Sequence, residues 1–137
     1  MLKKAIVAVS AALLLAGCGA SASSTVTQSN DNSAVKAQYA SFALELKDVM
    51  QEVATNANSG NIQATQESCV KLKVKSNEGL ALPDFSPELD THWDAAMSDF
   101  RDAGDACVRG DFRATVTYVN AGTAELKLAT AAIPTQA

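Results

Sequence analysis

The chain has 137 residues, of which 11 are Lys or Arg, 15 are Asp or Glu and one is His, with 47% hydrophobic and 5% aromatic residues. That length supports one small domain and leaves little room for a cofactor domain beside a substrate domain, or for the two lobes of a clamshell solute receptor. The acidic balance argues against a nucleic-acid binder that works through a basic face.

The first predicted element is a targeting signal. Lys3 and Lys4 precede an uncharged run from Ala5 to Ala16 that carries Ile6, Val7, Val9, Leu13, Leu14 and Leu15. This has the pattern of a secretion signal, and it falls short of the roughly 20 apolar residues that a bilayer span needs. The run ends in Leu15-Ala16-Gly17-Cys18, which resembles the lipobox of bacterial lipoproteins: an aliphatic residue, two small residues, then cysteine. The resemblance covers residues 1–18. It implies that the Cys18 thiol receives a diacylglyceryl group, that residues 1–17 are removed as a signal peptide, and that the mature protein sits on the extracytoplasmic side of the cell membrane. Two acyl chains anchor stably where one binds only marginally. The alternative is ordinary secretion, with cleavage at Ala20-Ser21-Ala22 and loss of Cys18.

Without Lys3 and Lys4, nine basic residues remain against 15 acids and the formal charge falls to −6. Such a domain is repelled by anionic headgroups, so membrane attachment is expected through the lipid alone. Cys69 and Cys107 are left as a pair, and outside the cytoplasm an even remainder points to a disulfide. Two buried free thiols, or a metal site lacking its other ligands, are the alternatives.

Residues 19–33 are almost entirely Ser, Thr, Ala, Asn and Gln, with Val26 as the one large aliphatic residue. They are expected to form a flexible tether following the lipidated Cys18, with a reach of at most about 50 Å. From Ala34 the pattern turns helical: Val35, Tyr39, Phe42, Leu46, Val49 and Val53 make one apolar stripe, with Ser33 as its cap and Asn58-Ser59-Gly60 as its stop. A second helix is predicted from Asn61, with Ile62, Cys69, Leu72 and Leu80 inward. Within it, Lys71-Leu72-Lys73-Val74-Lys75 alternates with period two like a short strand, but no partner strand is evident and the segment is read as helix. A connection from Gly79 to Phe85 contains Pro83, and its Leu80, Leu82 and Phe85 are expected to plug one end of the core. Ser86-Pro87-Glu88 starts a third helix with a cap, a proline at the first position and an acid at the positive end of the dipole. Its stripe is Leu89, Trp93, Ala96, Phe100, Ala103 and Cys107. Gly110 ends it, and Asp111 caps a fourth helix carrying Phe112, Val116, Val119, Leu126 and Ile133 as far as Pro134.

Gly60-Asn61-Ile62-Gln63-Ala64-Thr65 echoes Gly110-Asp111-Phe112-Arg113-Ala114-Thr115. Both read as helix end, cap, helix start, so the chain consists of two helical hairpins. The fold expected for residues 34–134 is all-α, an antiparallel four-helix bundle with one disulfide between Cys69 and Cys107.

Chemistry-bearing residues are few. His92, in Asp90-Thr91-His92-Trp93-Asp94, is the first place to look for catalysis, but no positioned nucleophile or oxyanion motif accompanies it. Beside an inward Trp93 it is expected near the bundle surface. His92 and Met97 lie five apart, and no C-x-x-C-H motif exists to attach a haem. Glu88, Asp90, Asp94, Asp99, Asp102 and Asp105 spread around the third helix like a solvated face, and a packed bundle offers little room for a sugar cleft between paired carboxylates. Lys71, Lys73 and Lys75 lack the interleaved aromatics of a polymer-binding patch. Tyr39, Phe42, Trp93, Phe100 and Phe112 fit a core stripe.

No cofactor, metal or catalytic residue is assigned. The expected function is a non-enzymatic binding or accessory module of the cell envelope, with an envelope protein or wall component as its partner and no nucleic acid. Beyond the lipobox, the domain is similar in pattern to small helical lipoproteins of high-GC Gram-positive bacteria, a resemblance that carries over no site residues. The alternatives are a phage-type lipoprotein that blocks superinfection and an envelope hydrolase that uses His92.

Overall fold

The computed structural model describes residues 20–133, with side chains from residue 33 onward. Cys18 and the lipobox lie outside the described residues. The described chain is four helices: α1 (Ala20–Asn58), α2 (Ile62–Leu80), α3 (Pro87–Val108) and α4 (Phe112–Ala131). They form the expected four-helix bundle. Two units divide the chain, Met1–Ala34 and Val35–Ala137, and the core lies in the second.

One expectation changes at α1, which begins at Ala20 rather than Ala34. The segment expected as a flexible tether is helical from that residue, and Ser33 lies inside the helix instead of capping it. Between Ala20 and Asn58 there is neither Gly nor Pro, and Ser, Thr and Asn each cost a helix no more than about 0.7 kcal/mol relative to Ala. Low core-forming capacity, which the tether expectation rested on, does not by itself interrupt a backbone ladder.

Both hairpin turns use one local solution. Gly60 (φ 72°) and Gly110 (φ 77°) adopt the left-handed conformation that ends a helix without strain for glycine. At the second turn Gly110 N donates to Cys107 O (3.0 Å) and Asp111 N to Ala106 O (2.9 Å), the paired bonds of a Schellman end. Asn61 and Asp111 then cap the next helices by accepting from Ala64 N and Ala114 N, each at 3.0 Å. The hydroxyls of Thr65 and Thr115 return to the cap carbonyls at 2.7 and 2.8 Å. The sequence echo is thus a repeated turn.

Helix α3 is the axis of the core. Leu89, Trp93, Ala96, Met97, Phe100, Ala103, Ala106 and Cys107 are all buried, and each large apolar side chain so buried contributes about 1.5–3 kcal/mol. Tyr39, Phe42 and Leu46 of α1 pack onto it, with the Tyr39 and Phe42 rings edge-on to Trp93 at centroid distances of 4.6 and 5.7 Å. The Trp93 indole donates to Gly79 O (2.9 Å), satisfying a carbonyl in the last turn of α2. A Cβ on Gly79 would lie 2.9 Å from Phe42 Cε1, so the missing side chain admits the aromatic cluster. The connection after α2 is pinned in turn: Phe85 N donates to both Asp90 carboxylate oxygens (3.0 and 3.1 Å), and the Tyr39 hydroxyl donates to Pro83 O (2.8 Å).

Helix α2 buries mostly small or polar residues, Thr65, Ser68, Cys69, Ser76 and Gly79, together with Leu72. The Ser68 and Ser76 hydroxyls are satisfied by carbonyls of their own helix. Cys69 and Cys107 lie at disulfide-bonding distance, with Cα atoms 5.9 Å apart, near the turn end of the bundle. Gly104, one turn before Cys107, makes that approach possible, because a Cβ there would lie 3.0 Å from Cys69 O and Lys73 N.

Helix α4 departs from its predicted face. Its fully buried residues are Thr115, Gly122 and Ala129, a seam of small side chains at seven-residue spacing. A Cβ on Gly122 would lie 3.0 Å from the Phe100 ring, so the seam lets α4 settle on α3. The bulky residues expected inward are carried to the flanks: Val119, Leu126 and Ile133 are partly buried, while Phe112 and Val116 are 56% and 59% exposed. Ile62, the counterpart of Phe112 at the first position of α2, is 73% exposed rather than inward. Both first-turn residues project at the end of the bundle, beyond the last layer of the core.

Candidate binding groove

The residues singled out for chemistry are held in structural contacts. His92 Nδ1 lies 2.6 Å from Glu125 Oε2 on α4, and both side chains are about one-third exposed, at 31% and 33%. This pairing across helices was not legible in the sequence, because it depends on the rotation of α4. Burial, and then the neighbouring Asp102 and Glu125 charges, raise the Asp99 carboxyl above its ordinary range. Burial, Asp90 and Asp84 do the same for Asp94. Tyr39 is pushed up to about 12, mainly by burial and then by the Asp90 charge. Among the described residues no cluster of three or more His, Cys, Asp or Glu side chains is arranged to hold a metal ion.

The lysine alternation has a structural role. Lys71 pairs with Glu52 of α1 (2.6 Å), Lys75 with Glu45 of α1 and Glu78 (3.1 Å to the latter), and Lys73 with Asp105 of α3 (2.7 Å). Lys71 and Lys75 therefore reach one neighbouring helix and Lys73 the other. Lys75 also stands 4.8 Å over the Phe42 ring, and its two carboxylate partners raise its pKa. Partly exposed pairs of this kind contribute about 0–1 kcal/mol each.

The feature with binding capacity lies between α1 and α4. A groove of about 510 Å³ has Ala40, Ala43, Leu44, Lys47 and Met50 on its α1 wall, Thr123, Leu126, Ala129, Thr130 and Ile133 on its α4 wall, and Tyr39, Leu89 and Trp93 beneath. Small residues on both walls leave space where larger ones would close the bundle. Toward the turn end, a second section of about 400 Å³ shares Met50 and runs past Val53, Ala57, Val116 and Val119 to Phe112. A third, of about 360 Å³, shares Ala57, Cys107 and Phe112 and reaches Ile62 between the two turns.

Hydrogen bonding makes the first section more apolar than its composition. The Thr123 hydroxyl donates to Val119 O (2.7 Å), and that of Thr130 bonds Leu126 O and Lys127 O (both 3.0 Å). The Tyr39 hydroxyl is committed to Pro83 O. Each of these residues turns carbon toward the groove, and Lys47 is left as the lining side chain with an unspent polar group among the described residues. Leu44 on the lip is 65% exposed. A concave, carbon-lined space of several hundred Å³ has the size and apolar character of a small-molecule site.

Sequence reasoning missed this site. The available signal was the run of small residues, Ala40 and Ala43 facing Thr123 and Thr130, at helical spacing. No protein-family model matches the chain, and comparison with curated proteins and with solved structures gives no match. None of the described helices is long and apolar enough to cross a membrane.

Proposed function

We propose that this protein is a lipid-anchored, non-enzymatic binding module of the cell envelope, attached through Cys18, which receives an apolar ligand in the groove between α1 and α4. The observation that carries the reading is the groove itself: apolar walls, hydroxyls turned to their own backbone, and Leu44 exposed at the lip. The address rests on the lipobox-like Leu15-Ala16-Gly17-Cys18. A cysteine pair at disulfide distance supports it, since such bonds persist in oxidising compartments.

Two measurements test the reading. Intact mass of membrane-extracted protein is expected to give a chain beginning at Cys18 with an added diacylglyceryl group; an unlipidated chain refutes the anchor. A neutral, environment-sensitive dye added to the full chain bearing Cys18→Ser is expected to brighten on saturable binding, and Ala43→Phe, which fills the groove, is expected to abolish the signal. Dye binding that is absent, or indifferent to Ala43→Phe in a variant of unchanged helicity, refutes the groove as the binding site.

A further inference from the structure

We propose that the occupant of the α1–α4 groove is the acyl chain of a long-chain fatty acid, whose carboxylate is held at the mouth by Lys47 and Lys127. The proposal rests on the groove being the binding site and adds the chemical class of its ligand.

Length and bore come first. The section from Tyr39 to Met50 covers eleven residue steps of α1, about 16 Å at 1.5 Å per residue. That is about half the 30 Å hydrocarbon core of a bilayer, the span of one membrane acyl chain. A volume of about 510 Å³ lies in the range that encloses one drug-sized ligand. The walls offer a carbon chain no competing donor, because the threonine and tyrosine hydroxyls are already spent.

Charge then selects the head group. Lys47 of α1 lines the same groove as Thr123 and Leu126 of α4. Lys127 lies four residues after Thr123 and three before Thr130, both groove residues, and so shares their side of the helix. Both lysines are exposed, and neither has an ion-pair partner among the described residues, whereas Lys71, Lys73 and Lys75 are all paired. On a chain with net negative charge, Lys47 in the wall of an apolar slot and Lys127 on the adjoining face of α4 complement an apolar chain ending in an anion.

The test uses the full chain bearing Cys18→Ser, so that no attached acyl chain competes, and the fluorescence of Trp93, the single tryptophan, which lies beneath the groove. Titration with hexadecanoate is expected to give a saturable one-to-one change. Lys47→Glu combined with Lys127→Glu, at exposed positions that leave folding intact, is expected to weaken hexadecanoate about tenfold, as for loss of charge-assisted contacts at a solvated mouth. The same pair is expected to weaken hexadecanol far less than hexadecanoate, and Ala43→Phe to abolish both. Equal binding of acid and alcohol, both insensitive to the lysine pair but lost in Ala43→Phe, overturns the carboxylate assignment while leaving the groove as the site. Binding of neither, or binding that survives Ala43→Phe, overturns the proposal together with the groove reading. A chain that sediments as a dimer and takes up no hexadecanoate also overturns it, in favour of a second copy on this face.

Discussion

Breaking the Cys69–Cys107 bridge is the perturbation whose cost follows most directly from the structure. The bridge closes a loop with a sequence separation of 38, and the chain-entropy relation values such a loop at about 4 kcal/mol. The loop contains most of α2, the connection and nearly all of α3, so the bridge ties the α2–α3 pair at the end opposite the connection pinned by Asp90 and Tyr39. Net stabilities of domains this size are about 5–15 kcal/mol, so the loss is a large fraction of the total. At about 4 °C per kcal/mol for a unit of some hundred residues, the melting temperature is expected to drop by about 15 °C. The assay is thermal melting by far-ultraviolet circular dichroism, comparing oxidised chain, reduced chain and the Cys69→Ala/Cys107→Ala variant. Since both cysteines are essentially buried, reduction in native buffer is expected to be much slower than in denaturant. Oxidised and reduced melts that coincide within about 2 °C, against the expected 15 °C, refute the reasoning, as does a mass spectrum with both thiols alkylated before reduction.

The other perturbations separate close packing from exposure and from charge. Gly104→Ala gains about 1 kcal/mol of helix propensity, yet its Cβ meets backbone atoms of Cys69 and Lys73 at 3.0 Å that no rotamer change can move. A net loss of about 1–3 kcal/mol is expected in urea denaturation, and an unchanged or raised midpoint contradicts the close approach. Phe100→Ala is expected to cost about 3–5 kcal/mol and Phe112→Ser about 1, because Phe100 is fully buried and Phe112 is 56% exposed; equal losses in denaturant titration contradict the rotation of α4. Folded Tyr39 keeps its proton to about pH 12, whereas the unfolded side chain loses it near 10. The folded state therefore holds more protons in that window, and stability falls as pH rises through it, by up to about 3 kcal/mol. Tyr39→Phe is expected to flatten that fall, read as urea midpoints from pH 9 to 12, and an equally steep fall in the variant excludes Tyr39 as its source.

Much of the fold was legible because its punctuation is local. Ser86-Pro87, Asn61, Asp111, Gly60 and Gly110 act through the backbone within a turn of where they stand, and the caps and positive-φ glycines lie where the sequence puts them. The α3 stripe was equally readable, since a helix buried on one broad face shows its whole period in apolar residues. The start of α1 was not. Its first residues contain no breaker, and a criterion of core-forming capacity cannot distinguish an uncommitted helix from a coil.

The misread face of α4 and the missed groove have one cause. A search for bulky apolar residues finds Phe112, Val116, Val119, Leu126 and Ile133 and takes them as the core stripe. The residues that α4 buries are the small ones, Thr115, Gly122 and Ala129, and Gly122 is the one that lets it come up against Phe100. Once that seam is inward, Leu126 and Ile133 of the bulky stripe share a groove with Ala40 and Ala43 of α1, while Val116 and Val119 share one with Met50, Val53 and Ala57. Two walls that each look apolar in sequence then face one another with a space between them. That space is a property of the pair of helices, so neither helix read alone contains it. Filling it with Ala43→Phe exchanges an apolar ligand for a side chain, which makes gain of stability with loss of binding the outcome that ties the groove to its use.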